Sequence, residues 1–98
     1  GHVDATGILQ SVKDENGSWV LDFSFPSDFA PLMIEKGSIC INGTSLTAFN
    51  VGRESFSVAL IPYTHEHTNL GRLEKGNKVN LEFDMIGKYI NRIQSLKD

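Results

Sequence analysis

Ser45 and Thr47 lie two residues apart in the run Lys36-Gly37-Ser38-Ile39-Cys40-Ile41-Asn42-Gly43-Thr44-Ser45-Leu46-Thr47. Two short strand-like stretches flank an Asn-Gly turn there, and period-two alternation puts both hydroxyls on the face opposite Leu46. With Leu46 turned to a core, the hydroxyls face a surface groove. Asp84, between Phe83 and Met85 in another alternating run, faces outward in the same way. Two hydroxyls, a carboxylate and the backbone of an Ile-Pro segment, Ile61-Pro62-Tyr63-Thr64, can hydrogen-bond the edge of a flat, amide-rich heterocycle. Residue types alone favour a plainer reading, in which Ser45 and Thr47 are solvent-facing strand residues, Asp84 ends a strand, and Lys36 is a cation at a helix C-terminus.

Other chemistries are less well supplied. His65-Glu66-His67, with His2 or Asp4, offers enough imidazoles and carboxylates for tetrahedral zinc. The helical His-Glu-X-X-His spacing and a cysteine pair are both missing, so no metal is expected. Cys40 alternates with Ile39 and Ile41 and is expected to pack rather than to attack. As the sole cysteine it cannot form an internal disulfide, which suits a reducing, cytoplasmic setting. A net charge of −3 with no basic face argues against nucleic acid. No apolar run approaches the roughly 18 residues needed to span a bilayer, so no membrane role is expected.

Ninety-eight residues make one domain. The spacing predicts a first strand over residues 3–12, a turn at Asp14-Glu15-Asn16-Gly17, and a second strand with Trp19, Leu21, Phe23 and Phe25 inward. Pro26 stops that strand. Ser27 is the expected N-cap of a short helix through Phe29 and Leu32, which Gly37 closes. Strands follow on both sides of Asn42-Gly43, then over residues 55–61 with Phe56, Val58 and Leu60 on one face. A helical turn is expected within 64–71, a turn at Lys75-Gly76-Asn77, and a last strand over 78–85. This is an all-β pattern, a small closed six-stranded antiparallel barrel with a short helix. Ile86, Tyr89, Ile90, Ile93 and Leu96 recur at helical steps and predict an amphipathic C-terminal helix. The expected organisation is a barrel domain over 1–86 and a helix over 87–98.

Taken in order, Gly1-His2-Val3-Asp4, the 36–47 run, Ile61-Pro62-Tyr63-Thr64, Thr68-Asn69-Leu70-Gly71 and the stretch from Gly76 to Tyr89 carry a specific likeness. The chain resembles the lumazine-binding repeat of riboflavin synthase from Gly1 to about Arg92, and the second, C-terminal repeat more than the first. The resemblance implies a Greek-key barrel. It implies a ring pocket at Gly1, His2, Val3, Ser45, Leu46, Thr47, Ile61, Pro62, Tyr63, Thr64, His65 and Glu66, with Lys36 near a ribityl chain and Asp84 beside the ligand. Catalytic roles fall on His2, Ser45 and Asp84, and an unperturbed imidazole, titrating near about pH 6.5, suits proton shuttling. The family's catalytic cysteine sits in the first repeat, at the place that Ser45 fills here.

The implied reaction is a dismutation of 6,7-dimethyl-8-ribityllumazine. One molecule gives a four-carbon unit to another, yielding riboflavin and a 5-amino-6-ribitylamino-pyrimidinedione, with no cofactor. The implied partners are a missing N-terminal repeat and further subunits, with a trimer in the full-length family and the tail helix in its contacts. A start without methionine fits half of such an enzyme, natural or trimmed. The competing readings are an antenna-type module that binds lumazine or flavin without turnover, and a barrel used in assembly.

Overall fold

Two Asn-Gly turns organise the barrel. The structure, a computed structural model, describes residues 3–83. Strand β1 (Ala5–Asp14) turns into β2 (Trp19–Ser24) through Asn16 and Gly17, whose φ values are 50° and 104°. Strand β3 (Ser38–Ile41) turns into β4 (Thr44–Thr47) through Asn42 and Gly43, at 48° and 87°. Positive φ at both central residues gives the mirror-image turn whose twist matches that of the strands, and Asn and Gly adopt it most readily. β5 (Ser55–Leu60), helix α1 (Pro62–His67), a 3₁₀ turn (Asn69–Arg72) and β6 (Lys78–Phe83) complete the described chain.

The strands form one antiparallel sheet in the order β4-β3-β6-β1-β2-β5. Its two ends, β4 and β5, meet at a bridge in which the Phe49 N–H donates to the Ser57 carbonyl at 2.9 Å and the Ser57 N–H donates back at 2.8 Å. The result is a nearly closed six-stranded barrel, with a seam between β4 and β5. Its core holds the side chains that alternation placed inward. Leu21, Phe23, Phe56, Val58 and Leu60 are each at most 1% exposed. Phe23 and Phe56 stack at 5.4 Å, and Phe29 of the 3₁₀ turn Ser27–Leu32 stacks on Phe83 at the same distance. The expected C-terminal helix over 87–98 lies outside the described residues.

Two local expectations are corrected. Ser27 does not cap the first helical turn. Pro26 precedes it in extended conformation, with no side-chain cap bond. Lys36, not Gly37, takes the left-handed conformation that ends this connection (φ 63°), while Gly37 is required by space, since a Cβ there would sit 2.9 Å from the Ile34 carbonyl. The helical turn expected within 64–71 is present; it begins earlier, at Pro62, where proline's missing N–H costs nothing, and breaks at Thr68 before the 3₁₀ turn.

The first strand also holds an irregularity. Leu9 faces Phe23, but Ser11 faces Asp22, so Gln10 is an extra residue in β1. This bulge re-aims the chain after Leu9 and brings Ser11 to the outer face beside Asp22. The Asp22 carboxylate accepts hydrogen bonds from the hydroxyls of Ser57 and of Ser11, the latter at 2.7 Å, with the Lys13 ammonium at 3.8 Å. The Ser57 bond foremost, then Ser11 and Lys13, hold its pKa below the usual carboxylate range against the opposing effect of burial. A depressed folded-state pKa gives stability that is fully present above the ordinary range and is lost as pH falls through the folded value. The gap in urea midpoint between the wild type and Asp22→Ala should therefore be widest at about pH 6 and should shrink progressively as pH falls below about 4. A gap that stays constant from about pH 6 down to the acid limit of the folded state would remove this ionisation from the stability of the fold.

Candidate functional site

Alternation fixes what the seam presents. The Ala48 N–H donates to the Gly37 carbonyl at 2.8 Å, so the even positions of β4 turn their backbone toward β3. The N–H and C=O groups of Ser45 and Thr47 therefore point toward the seam. On the other strand, the Ser57 backbone is bonded to Phe49, and the same parity turns the Ala59 backbone toward β4. Beyond the Phe49–Ser57 bridge the strands part into a groove of about 320 Å³ lined by Ser45, Leu46, Thr47, Phe49, Ala59, Ile61 and Thr64. That volume lies at the small end of the range for small-molecule pockets, roughly 300–1,000 Å³, and suits one flat ring system. Half-buried Leu46 packs on the core behind it, while Ser45 and Thr47 are exposed.

Five of the residues singled out from the sequence thus meet in one place: Ser45, Leu46, Thr47, Ile61 and Thr64. The segment over residues 61–66 is divided by its helical geometry. Ile61 and Thr64, three residues apart, face the groove. His65 turns away and stacks on Trp19, with ring centroids 3.7 Å apart and planes 16° apart. Exposed Tyr63 stacks on His67 at 4.1 Å, while Pro62 and Glu66 face solvent. The two histidines thus sit on one short helix, each against a different aromatic ring.

Lys36 lines a second depression of about 210 Å³ with Leu32, Met33, Ile34, Gly37, Ser38 and Ala48. The two depressions adjoin, because Ser38 of one pairs across the hairpin with Thr47 of the other. Val3 is exposed at the start of the described chain. Nearby, the Asp4 carboxylate accepts from the Phe83 N–H at 2.8 Å, which ties the two ends of the described chain together. Gly1, His2 and Asp84 lie outside the described residues. Phe49 and Ala59 line the groove but were not singled out from the sequence. Ala59 carried a usable signal, as the one apolar residue at an outward position of β5.

These features define a class: a small β-barrel with a ring-sized groove at an open seam, edged by backbone amides and two hydroxyls. Residues 1–84 match the lumazine binding domain family, and the chain belongs to it. It is 44% identical over 93 residues to the riboflavin synthase of Actinobacillus pleuropneumoniae, covering 94% of this chain and 43% of that protein. With the riboflavin synthase of Mycobacterium tuberculosis the identity is 42% over 96 residues, covering 95% and 48%. The chain spans about half the length of the curated relatives it matches. Its structure is similar to LumP complexed with 6,7-dimethyl-8-(1'-D-ribityl) lumazine, with a TM-score of 0.76 and 25% identity over 85% of this chain and 46% of that one. LumP complexed with flavin mononucleotide gives 0.77 and 26%, over 87% and 48%. Among the described residues, no helix is long and apolar enough to cross a membrane.

Proposed function

We propose that the chain is the C-terminal lumazine-binding repeat of a riboflavin synthase and holds one ribityllumazine in the β4–β5 groove. The convergence of Ser45 and Thr47 with Ala59, Ile61 and Thr64 on one seam carries this reading. The ring's amide edge alternates donors and acceptors, and two strand edges with facing N–H and C=O groups can match it. Leu46 and Ile61 supply apolar contact for the ring faces. The ribityl chain runs from Thr47 past Ser38 toward Lys36, whose ammonium can donate to several hydroxyls. The LumP complexes support this ligand class.

In the whole enzyme the groove presents one ring to another held by an N-terminal repeat, and a four-carbon unit passes between them. His2 shuttles a proton at the rim, and Ser45 and Asp84 polarise the ring. In sequence, His2 precedes Asp4 by two residues and Asp84 follows Phe83, and Asp4 and Phe83 are the residues joined by the hydrogen bond above. The tail stripe Ile86, Tyr89, Ile90, Ile93 and Leu96 joins subunits. A second reading, binding without turnover, draws on LumP complexed with riboflavin.

Fluorescence titration of the 98-residue chain with ribityllumazine tests the shared part of both readings. Saturable binding is expected, unchanged by a chelator. Ser45→Ala should weaken it by about 1 kcal/mol, or about fivefold in Kd, the net worth of one neutral hydrogen bond. A flat titration of folded protein would dismiss the groove as a ring site.

A further inference from the structure

We propose that Asp22 is a positioning residue for the groove, fixing the closed end of the β4–β5 seam through Ser57; this rests on the groove being the ring site. Ser57 has two attachments. Its hydroxyl donates to Oδ1 of Asp22 across the β2–β5 pair, and its N–H and C=O are exchanged with Phe49 at the bridge. At 5% exposure, that hydroxyl has little water to turn to if Asp22 is removed. Two residues further along each strand, at Thr47 and Ala59, the seam has opened into the groove, and Phe49 itself is part of the lining. The Phe49–Ser57 bridge therefore sets where the strands part and how far.

The other carboxylate oxygen, Oδ2, accepts from Ser11 at 2.7 Å and faces the Lys13 ammonium at 3.8 Å. One side chain thus ties β1, β2 and β5 together on the outer surface. The bulge at Gln10 is what puts Ser11 there, since unbroken alternation from Leu9 would have turned Ser11 inward. A fixed carboxylate with two donated hydroxyls holds Ser57 more firmly than a strand ladder alone.

Truncating Asp22 leaves the Ser57 hydroxyl buried without its acceptor. The hydroxyl is then drawn toward water, and the bridge loosens. Asp22→Ala should raise the Kd for ribityllumazine about tenfold, the effect of stranding one buried polar group. Amide hydrogen exchange should quicken at Phe49 and Ser57 and stay unchanged at Leu81 on the far side of the sheet. The diagnostic is Asp22→Ala combined with Ser57→Ala. Removing the stranded hydroxyl should recover part of the lost affinity, whereas two independent structural losses would add. Wild-type Kd in Asp22→Ala, or a double variant weaker than the single one, overturns the proposal. If Asp22→Ala does not fold, Ser57→Ala alone carries the test: faster exchange at Phe49 with weaker binding supports the clamp, and wild-type values for both overturn it. Should the wild type itself bind no ribityllumazine, the ring-site reading fails, and exchange at Phe49 in Asp22→Ala still decides whether the clamp exists.

Discussion

Gly71→Ala is expected to destabilise the domain by about 3 kcal/mol, the scale of overpacking against backbone. A Cβ added at Gly71 would lie 2.1 Å from the His65 carbonyl oxygen and 3.0 Å from its carbon. Neither partner can retreat without loss. Moving the 3₁₀ turn outward draws Leu70, 1% exposed, out of the core. Moving α1 breaks the His65–Trp19 stack, and α1 carries Thr64 at the groove wall. For a domain of this size each kcal/mol shifts the melting temperature by about 5 °C, so a fall of about 15 °C is expected. Trp19 is the sole tryptophan, so its emission should report the loosened stack directly. A melting temperature within about 3 °C of wild type, with unchanged emission, would show that the two elements yield more easily than their geometry implies.

That contact also marks where the sequence stops speaking. Alternation places Leu21, Phe23, Phe56, Val58 and Leu60 inward because burial on a strand has a period of two, and the Asn-Gly pairs announce both hairpins through their tolerance of positive φ. Those are local signals. Which strands become neighbours is not local. The groove exists because β4 and β5, at opposite ends of the strand order, meet at one bridge and then separate. Ser45 and Thr47 were legible as outward hydroxyls, whereas Phe49 and Ala59 become groove walls only when the barrel closes. The bulge at Gln10 changes the facing of Ser11 without any Gly or Pro to mark it. His65 shows the converse case. It sits in the segment that the family likeness assigns to the ring, yet α1 turns it onto Trp19, because residues 61, 64 and 65 divide between two sides of a short helix.

On the proposed reading, the isolated chain is expected to bind ribityllumazine and to turn it over at least about a thousandfold more slowly than a two-repeat enzyme. The reason is geometric. Dismutation needs two rings stacked in fixed relation, and holding reactants in such a relation supplies a large share of the rate. The described chain places its hydroxyls and strand edges around one ring-sized groove. Two copies meeting face to face would supply a second ring, but both would carry Ser45 where the family likeness puts a cysteine in the first repeat. A serine hydroxyl is a weak nucleophile unless a neighbouring base activates it. Adding a separate N-terminal repeat should raise the rate, and in the joined enzyme Asp84→Asn should lower turnover while leaving the fold intact. Absorbance assays of riboflavin formation, with sedimentation of the full chain and of one ending at Gly87, separate these cases. Turnover at the two-repeat rate by a chain that sediments as a monomer would overturn the division of labour between repeats. A normal rate for Asp84→Asn would remove that carboxylate from the chemistry and leave the groove, the hydroxyls and His2 to account for it.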